Sequence, residues 1–124
     1  MTIDTNPFRK QHTLEKRQNE SLRIRAKYDD KVPIIVTRSS NSNNISKIDK
    51  NKFLVPSDLT LGQFIYVIRK RISLSAEESL YLFIDNNILG TTSSSLGSIY
   101  GEHKNVDGFL YISYCSENTF GNKI

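Results

Sequence analysis

The stretch from Lys52 to Ile72 constrains the fold more than any other part of the chain. Lys52–Val55 is a short run of bulky residues, and Pro56 ends it as a strand because proline brings no N–H to the ladder. Ser57-Asp58 reads as a turn. Thr60 is a helix N-cap, and Gln63 three residues later completes a capping box, each side chain satisfying the other residue's orphan N–H. Leu59 before the cap and Phe64 after it suit a hydrophobic staple. Leu61, Phe64, Ile65, Ile68 and Ile72 recur at helical spacing and make one face apolar. Arg69, Lys70 and Arg71 fall in the last turn, where the helix dipole favours cations. A cap contributes about 1 kcal/mol, whereas burying five large apolar side chains offers about 1.5–3 kcal/mol each. Packing decides, so this helix is expected to lie across a sheet.

The flanking segments supply that sheet. Val32–Thr37 is β-branched and short, with Pro33 near its start. Arg38–Ser46 is a polar loop. Leu80–Ile84 is a continuous apolar run closed by turn chemistry at Asp85-Asn86-Asn87. Thr91–Ser95 is a low-complexity loop, Leu96 to His103 suggests a short helix, and Phe109–Tyr114 is the last strand. This order predicts an α+β, ubiquitin-like β-grasp: a four-stranded mixed sheet with a central helix, its first and last strands adjacent and parallel. Before it, Asn6-Pro7 starts a short helix to about His12, and Thr13 caps a second, Leu14 to about Tyr28. The second is so polar that it is expected to lie against the domain rather than build its core. The expected division is a helical extension over 1–31, a ubiquitin-like domain over 32–115 and a tail over 116–124, with no internal repeat.

The chain has 124 residues, enough for one real core. No apolar run approaches a membrane span, and Met1–Asp4 lacks the layout of a signal peptide, so a cytosolic protein is expected. One cysteine excludes an internal disulfide framework. The net charge of +4 is uneven: residues 1–32 hold eight Lys/Arg against five Asp/Glu. Such a basic arm favours acidic peptides, anionic membrane or nucleic acid, or is simply a solvated helix face.

Residue chemistry argues for binding over catalysis. Cys115 and His103 are the one pair that suggests a nucleophile, but triad logic also needs a third group to orient the base, and no local signature surrounds the cysteine. His12 and His103 lack ligand spacing, so no metal is expected. Gly62 has no Gly-rich neighbours, so no phosphate loop is expected. No cofactor and no enzyme activity are expected. In Lys52–Val55, alternate side chains face opposite sides. If this strand is an edge, it can accept a partner strand by main-chain pairing, with side-chain pockets for specificity. The plain alternatives are ordinary sheet residues here and a frayed terminus at Glu117–Ile124.

Five blocks in order, Lys52-Phe53-Leu54-Val55-Pro56, Leu59-Thr60-Leu61-Gly62-Gln63-Phe64, Ile68-Arg69-Lys70-Arg71, Asp107-Gly108-Phe109-Leu110-Tyr111 and Glu117-Asn118-Thr119-Phe120-Gly121, resemble one family. It is that of the autophagy ubiquitin-like modifiers conjugated to phosphatidylethanolamine, the family of microtubule-associated light chain three and the GABA-A-receptor-associated protein. The resemblance runs from Glu15 to Gly121. It implies that a cysteine protease cuts after Gly121, releasing Asn122-Lys123-Ile124, with Phe120 as an aromatic handle. Activating and conjugating enzymes then pass the Gly121 carboxylate through thioesters to the lipid amine, in the cytoplasm and at autophagosome and related vesicle membranes. Glycine suits a narrow active-site channel because it has no Cβ.

The resemblance also implies a groove for aromatic-x-x-aliphatic peptides with acidic flanks, carried by cargo receptors. Its aromatic pocket corresponds to Glu20, Ile24, Pro33, Ile35, Lys52, Leu54 and Phe109. Its aliphatic pocket corresponds to Phe53, Val55, Pro56, Leu59, Phe64 and Val67. Lys31, Lys50, Lys52 and Arg71 are expected to face the ligand's acids. Other classes remain: a ubiquitin-like interaction module that is never conjugated, and a nucleic-acid-binding domain, for which no motif is present. His12-Thr13-Leu14, Leu89–Ser95 and Cys115-Ser116 depart from the family pattern and suggest a divergent paralogue with altered partner choice. Cys115-Ser116 stands where Ser-Gly is usual, and Ser116 would be strained if that glycine serves at positive φ.

Overall fold

A computed structural model describes residues 4, 6–39, 45–85 and 87–116. Thr60 begins the central helix α3 (Leu61–Arg71) as expected, its side chain accepting from the Gln63 N–H while the Gln63 side chain accepts from the Thr60 N–H. Leu61, Phe64 and Ile68 are buried along one face of α3, Ile72 is buried at its C-cap, and Ile65 packs half-buried beside them. The spacing that made the helix amphipathic is therefore the spacing that fills the core.

The sheet beneath it contains β1 (Lys31–Arg38), β2 (Lys52–Pro56), β3 (Leu80–Ile84), β4 (Asn87–Ile88) and β5 (Leu110–Ser116) in the order β2-β1-β5-β3-β4. First and last long strands run parallel, Ile34 opposite Leu110, and the neighbouring pairs are antiparallel. On one face, Val32, Ile34, Val36, Phe53, Val55, Leu110, Ile112 and Tyr114 join α3 and the short helix α4 (Leu96–His103) in the main core. On the other face, Ile35 and Phe109 form a smaller cluster under α1 (Pro7–Gln11) and α2 (Leu14–Lys27).

Two expectations need correction. Among the described residues the sheet has five strands rather than four, because Asn87–Ile88 folds back on Ile84 and Phe83 beyond Asp85, whose φ is +49°. Two residues are too few for alternation to announce a strand. Ser116 is not strained: it continues β5 opposite Leu80 and is not among the described residues with positive φ.

The polar helix α2 docks chiefly through side-chain polarity. Arg17 Nη1 donates to Asp107 Oδ2 at 2.6 Å, Ser21 Oγ to the Asp107 carbonyl at 2.5 Å, Gln18 Nε2 to the Val106 carbonyl at 3.2 Å and Arg25 Nη1 to the Lys31 carbonyl at 2.5 Å. The Asp107 side chain is fully buried, where an unpaired charge would be strongly destabilising. Gly108 makes this contact possible with φ +88° directly beneath Ser21.

Candidate functional site

β2 ends the sheet, so among the described residues one of its main-chain edges has no strand beside it. Pairing with β1 places Pro33 opposite Leu54 and Ile35 opposite Lys52 on the α2 side. The intervening Phe53 and Val55 join the α3 side. The edge strand therefore supplies side chains to two separate depressions, one on each face.

On the α2 side, Ile24, Ile35 and Phe109 pack together, with Pro33 buried and Leu54 37% exposed above them. Lys52 Nζ forms an ion pair with Glu20, closing the mouth between β2 and α2. Four neighbours were not legible beforehand. Phe8, the single buried residue of α1, meets Phe109 edge-on at 5.2 Å between centroids and lies 5.3 Å from Lys52 Nζ. Tyr111, Arg17 and Asp107 lie behind them: Tyr111 Oη donates to Asp107 Oδ2 at 2.5 Å, and the Phe109 N–H donates to Asp107 Oδ1 at 2.9 Å. A lone aromatic in a six-residue polar stretch was the available signal for Phe8.

On the α3 side, Phe53 and Phe64 cross edge-on at 5.6 Å. Both are buried in the main core, as is Val55, so they form floor rather than rim. The accessible surface comes from Pro56, the half-buried Leu59 and Val67, which is 37% exposed. Lys50 Nζ and Arg71 Cζ lie 5.3 and 5.9 Å from the Phe53 ring centroid, and Arg71 also faces Asp49 at 3.6 Å. Lys50, Lys52 and Arg71 thus gather around one end of β2. Lys31 stands at the other end, opposite Pro56. Cys115 is a buried thiol in β5 opposite Tyr81, and His103 is exposed in the last turn of α4. Phe120, Gly121 and Asn122 lie outside the described residues.

Burial, together with the Asp107 carboxylate, pushes the Tyr111 phenol well above the ordinary tyrosine range. Burial raises Tyr100 and Tyr114 as well, their hydroxyls donating to the carbonyls of Gly108 and Ser46. For Arg17, burial works against the charge, but the bonds to Asp107 and Tyr111 outweigh it and leave the shift upward. Phenols whose folded pKa is raised give stability that is complete below the unfolded value of 10.0 and is lost as pH rises toward the folded values. Urea unfolding should therefore show stability falling from about pH 9.5 upward, with a shallower fall in Tyr111→Phe. An identical slope in the variant would exclude Tyr111 as a contributor.

Comparison with known proteins accounts for this architecture. The family described as "Autophagy protein Atg8 ubiquitin like" matches residues 16–121. Autophagy-related protein 8d of Arabidopsis thaliana is 54% identical over 114 residues, covering 92% of this chain and 93% of that protein. Autophagy-related protein 8 of Emericella nidulans is 54% identical over 114 residues, covering 92% and 95%. The crystal structure of Trypanosoma brucei ATG8 superposes with a TM-score of 0.85 at 40% identity, covering 92% of this chain and 97% of that one. With a ubiquitin-like fold, a family match across most of its length and relatives identical at more than half of the aligned positions, the chain belongs to the Atg8 family of autophagy ubiquitin-like proteins.

Proposed function

We propose that the protein is a ubiquitin-like modifier, not an enzyme, joined through Gly121 to phosphatidylethanolamine. A cysteine protease removes Asn122-Lys123-Ile124, and activating and conjugating enzymes carry the new carboxylate to the lipid amine. The chain beyond β5 serves as the conjugation tail of the domain that β1 and β5 bound, with the helices before β1 as its extension. Lys31 and Ser116 therefore belong to the sheet rather than to the extension over 1–31 and the tail over 116–124 expected from sequence. Among the described residues no helix is long and apolar enough to cross a membrane. An acylated lipid, at about 0.8 kcal/mol per buried CH₂, anchors far more firmly than the basic arm. The protein therefore passes from cytoplasm to autophagosomal and related vesicle membranes at the covalent step.

On the membrane it recruits receptors bearing aromatic-x-x-aliphatic motifs. The observation that carries this reading is the edge strand β2, whose alternate side chains serve depressions on opposite faces. A ligand strand added to that edge would likewise send alternate side chains to the two faces. An acidic flank suits Lys50, Lys52 and Arg71, which set association rate and register while the apolar pockets supply most of the affinity.

Calorimetric titration with an acidic peptide containing Trp-x-x-Leu tests the groove. Leu54→Ala and Val67→Ala each remove apolar surface worth about 1–2 kcal/mol, so affinity should fall about tenfold in each. Both side chains are exposed at the rim, so the thermal midpoint should hardly move. Phe53, expected from the resemblance to line the aliphatic pocket, is unsuitable for this test because Phe53→Ala would excavate the core and cost about 3–5 kcal/mol. Unchanged affinity in both rim variants would remove the groove from this edge.

A further inference from the structure

We propose that Asp107 is a positioning residue for the aromatic end of the groove, an inference that rests on the groove reading above. Its carboxyl group is fully buried and has no route to a bound peptide. It nevertheless bonds to the parts from which the aromatic pocket is assembled. Oδ1 accepts from the backbone N–H of Phe109, the pocket floor, at 2.9 Å. Oδ2 accepts from Arg17 on α2 at 2.6 Å and from the Tyr111 hydroxyl at 2.5 Å. The Asp107 carbonyl accepts from Ser21, also on α2, at 2.5 Å. Its own N–H is held by Asn105 Oδ1 at 3.0 Å, which fixes the turn itself.

Helix α2 carries Glu20 and Ile24, one wall of the pocket, and has little apolar surface of its own to keep it in place. Ser21 is its single buried residue and Ile24 is only half-buried. Arg17 and Ser21 lie one turn apart, on the side of the helix that meets Asp107, so this one turn sets the distance between wall and floor. The aliphatic depression uses Val55, Leu59, Phe64 and Val67, which belong to β2, α3 and the main core on the opposite face. Loosening Asp107 should therefore weaken recognition of the ligand's aromatic residue and leave recognition of its aliphatic residue intact.

The test is a mutant cycle on the full chain with three synthetic peptides: an acidic Trp-x-x-Leu peptide, the same peptide with Trp→Ala, and the same with Leu→Ala. Asp107→Asn keeps an acceptor for the Phe109 N–H but turns a donor toward Arg17. The paired change Asp107→Asn with Arg17→Met removes both buried charges and guards against simple unfolding. In the unaltered protein the Trp→Ala penalty should be about 100-fold, as for a buried aromatic anchor. In both variants it should shrink to about tenfold or less, while the Leu→Ala penalty stays as it was. Hydrogen exchange should quicken in α2 and not in α3. An undiminished Trp→Ala penalty, or an equal reduction of both penalties, would overturn the positioning role. Failure of the groove itself would look different: the unaltered protein would be indifferent to both peptide substitutions, and the positioning role would fall with it.

Discussion

Gly108→Ala should lower stability by about 3 kcal/mol, as the sum of two costs that cannot be relieved together. At φ +88° an L side chain is strained by about 1–3 kcal/mol. An ideal Cβ there would also lie 2.2 Å from Ser21 Oγ and 2.9 Å from Ser21 Cβ. Rotating the hydroxyl away removes only the first clash and abandons its bond to the Asp107 carbonyl. Moving the Ser21 Cβ requires lifting α2 and with it Arg17 from Asp107. Overpacking of this kind adds about 1–3 kcal/mol. For a domain of this size the thermal midpoint should fall by about 10 °C or more. A midpoint within about 2 °C of the parent would show that α2 is not seated on this turn.

Gly121→Ala should abolish lipid attachment almost completely, while leaving the folded domain as stable as before. The expectation follows from Phe120-Gly121 standing ahead of three residues whose removal leaves glycine as the terminal carboxylate. A methyl group at that carbon would obstruct the narrow enzyme channel proposed for processing and activation, and it would restrict φ. A chain ending at Gly121 should bypass the protease and still be conjugated. Membrane flotation followed by mass measurement of the bound protein distinguishes the variants. Lipid on Gly121→Ala at the parental level would refute the proposed attachment point.

Much of the fold was legible because local and tertiary preferences agree. Thr60, Gln63 and the spacing of Leu61, Phe64 and Ile68 specify the same helix through capping and burial alike. The parallel pairing of β1 with β5 followed from element order. What escaped was short or distant. Strand β4 is two residues long. The docking of α2 depends on Asp107, 90 residues from Arg17, and a polar pattern by itself gives no hint of that partner. Phe53 shows another limit: alternation placed it on the face opposite Leu54, but only packing against Phe64 reveals that it is structural floor. Phe8 joined the aromatic cluster through the same nonlocal packing.

The most direct test of the proposed modifier role is intact-mass analysis of the protein recovered from the membrane fraction of its own cells under conditions that induce autophagy. The account predicts a species ending at Gly121 and carrying the mass of one phosphatidylethanolamine, together with a soluble pool ending at the same residue. A membrane-associated species that retains Asn122-Lys123-Ile124 and carries no lipid would contradict it, and would leave this Atg8-family chain as an interaction module that is never conjugated.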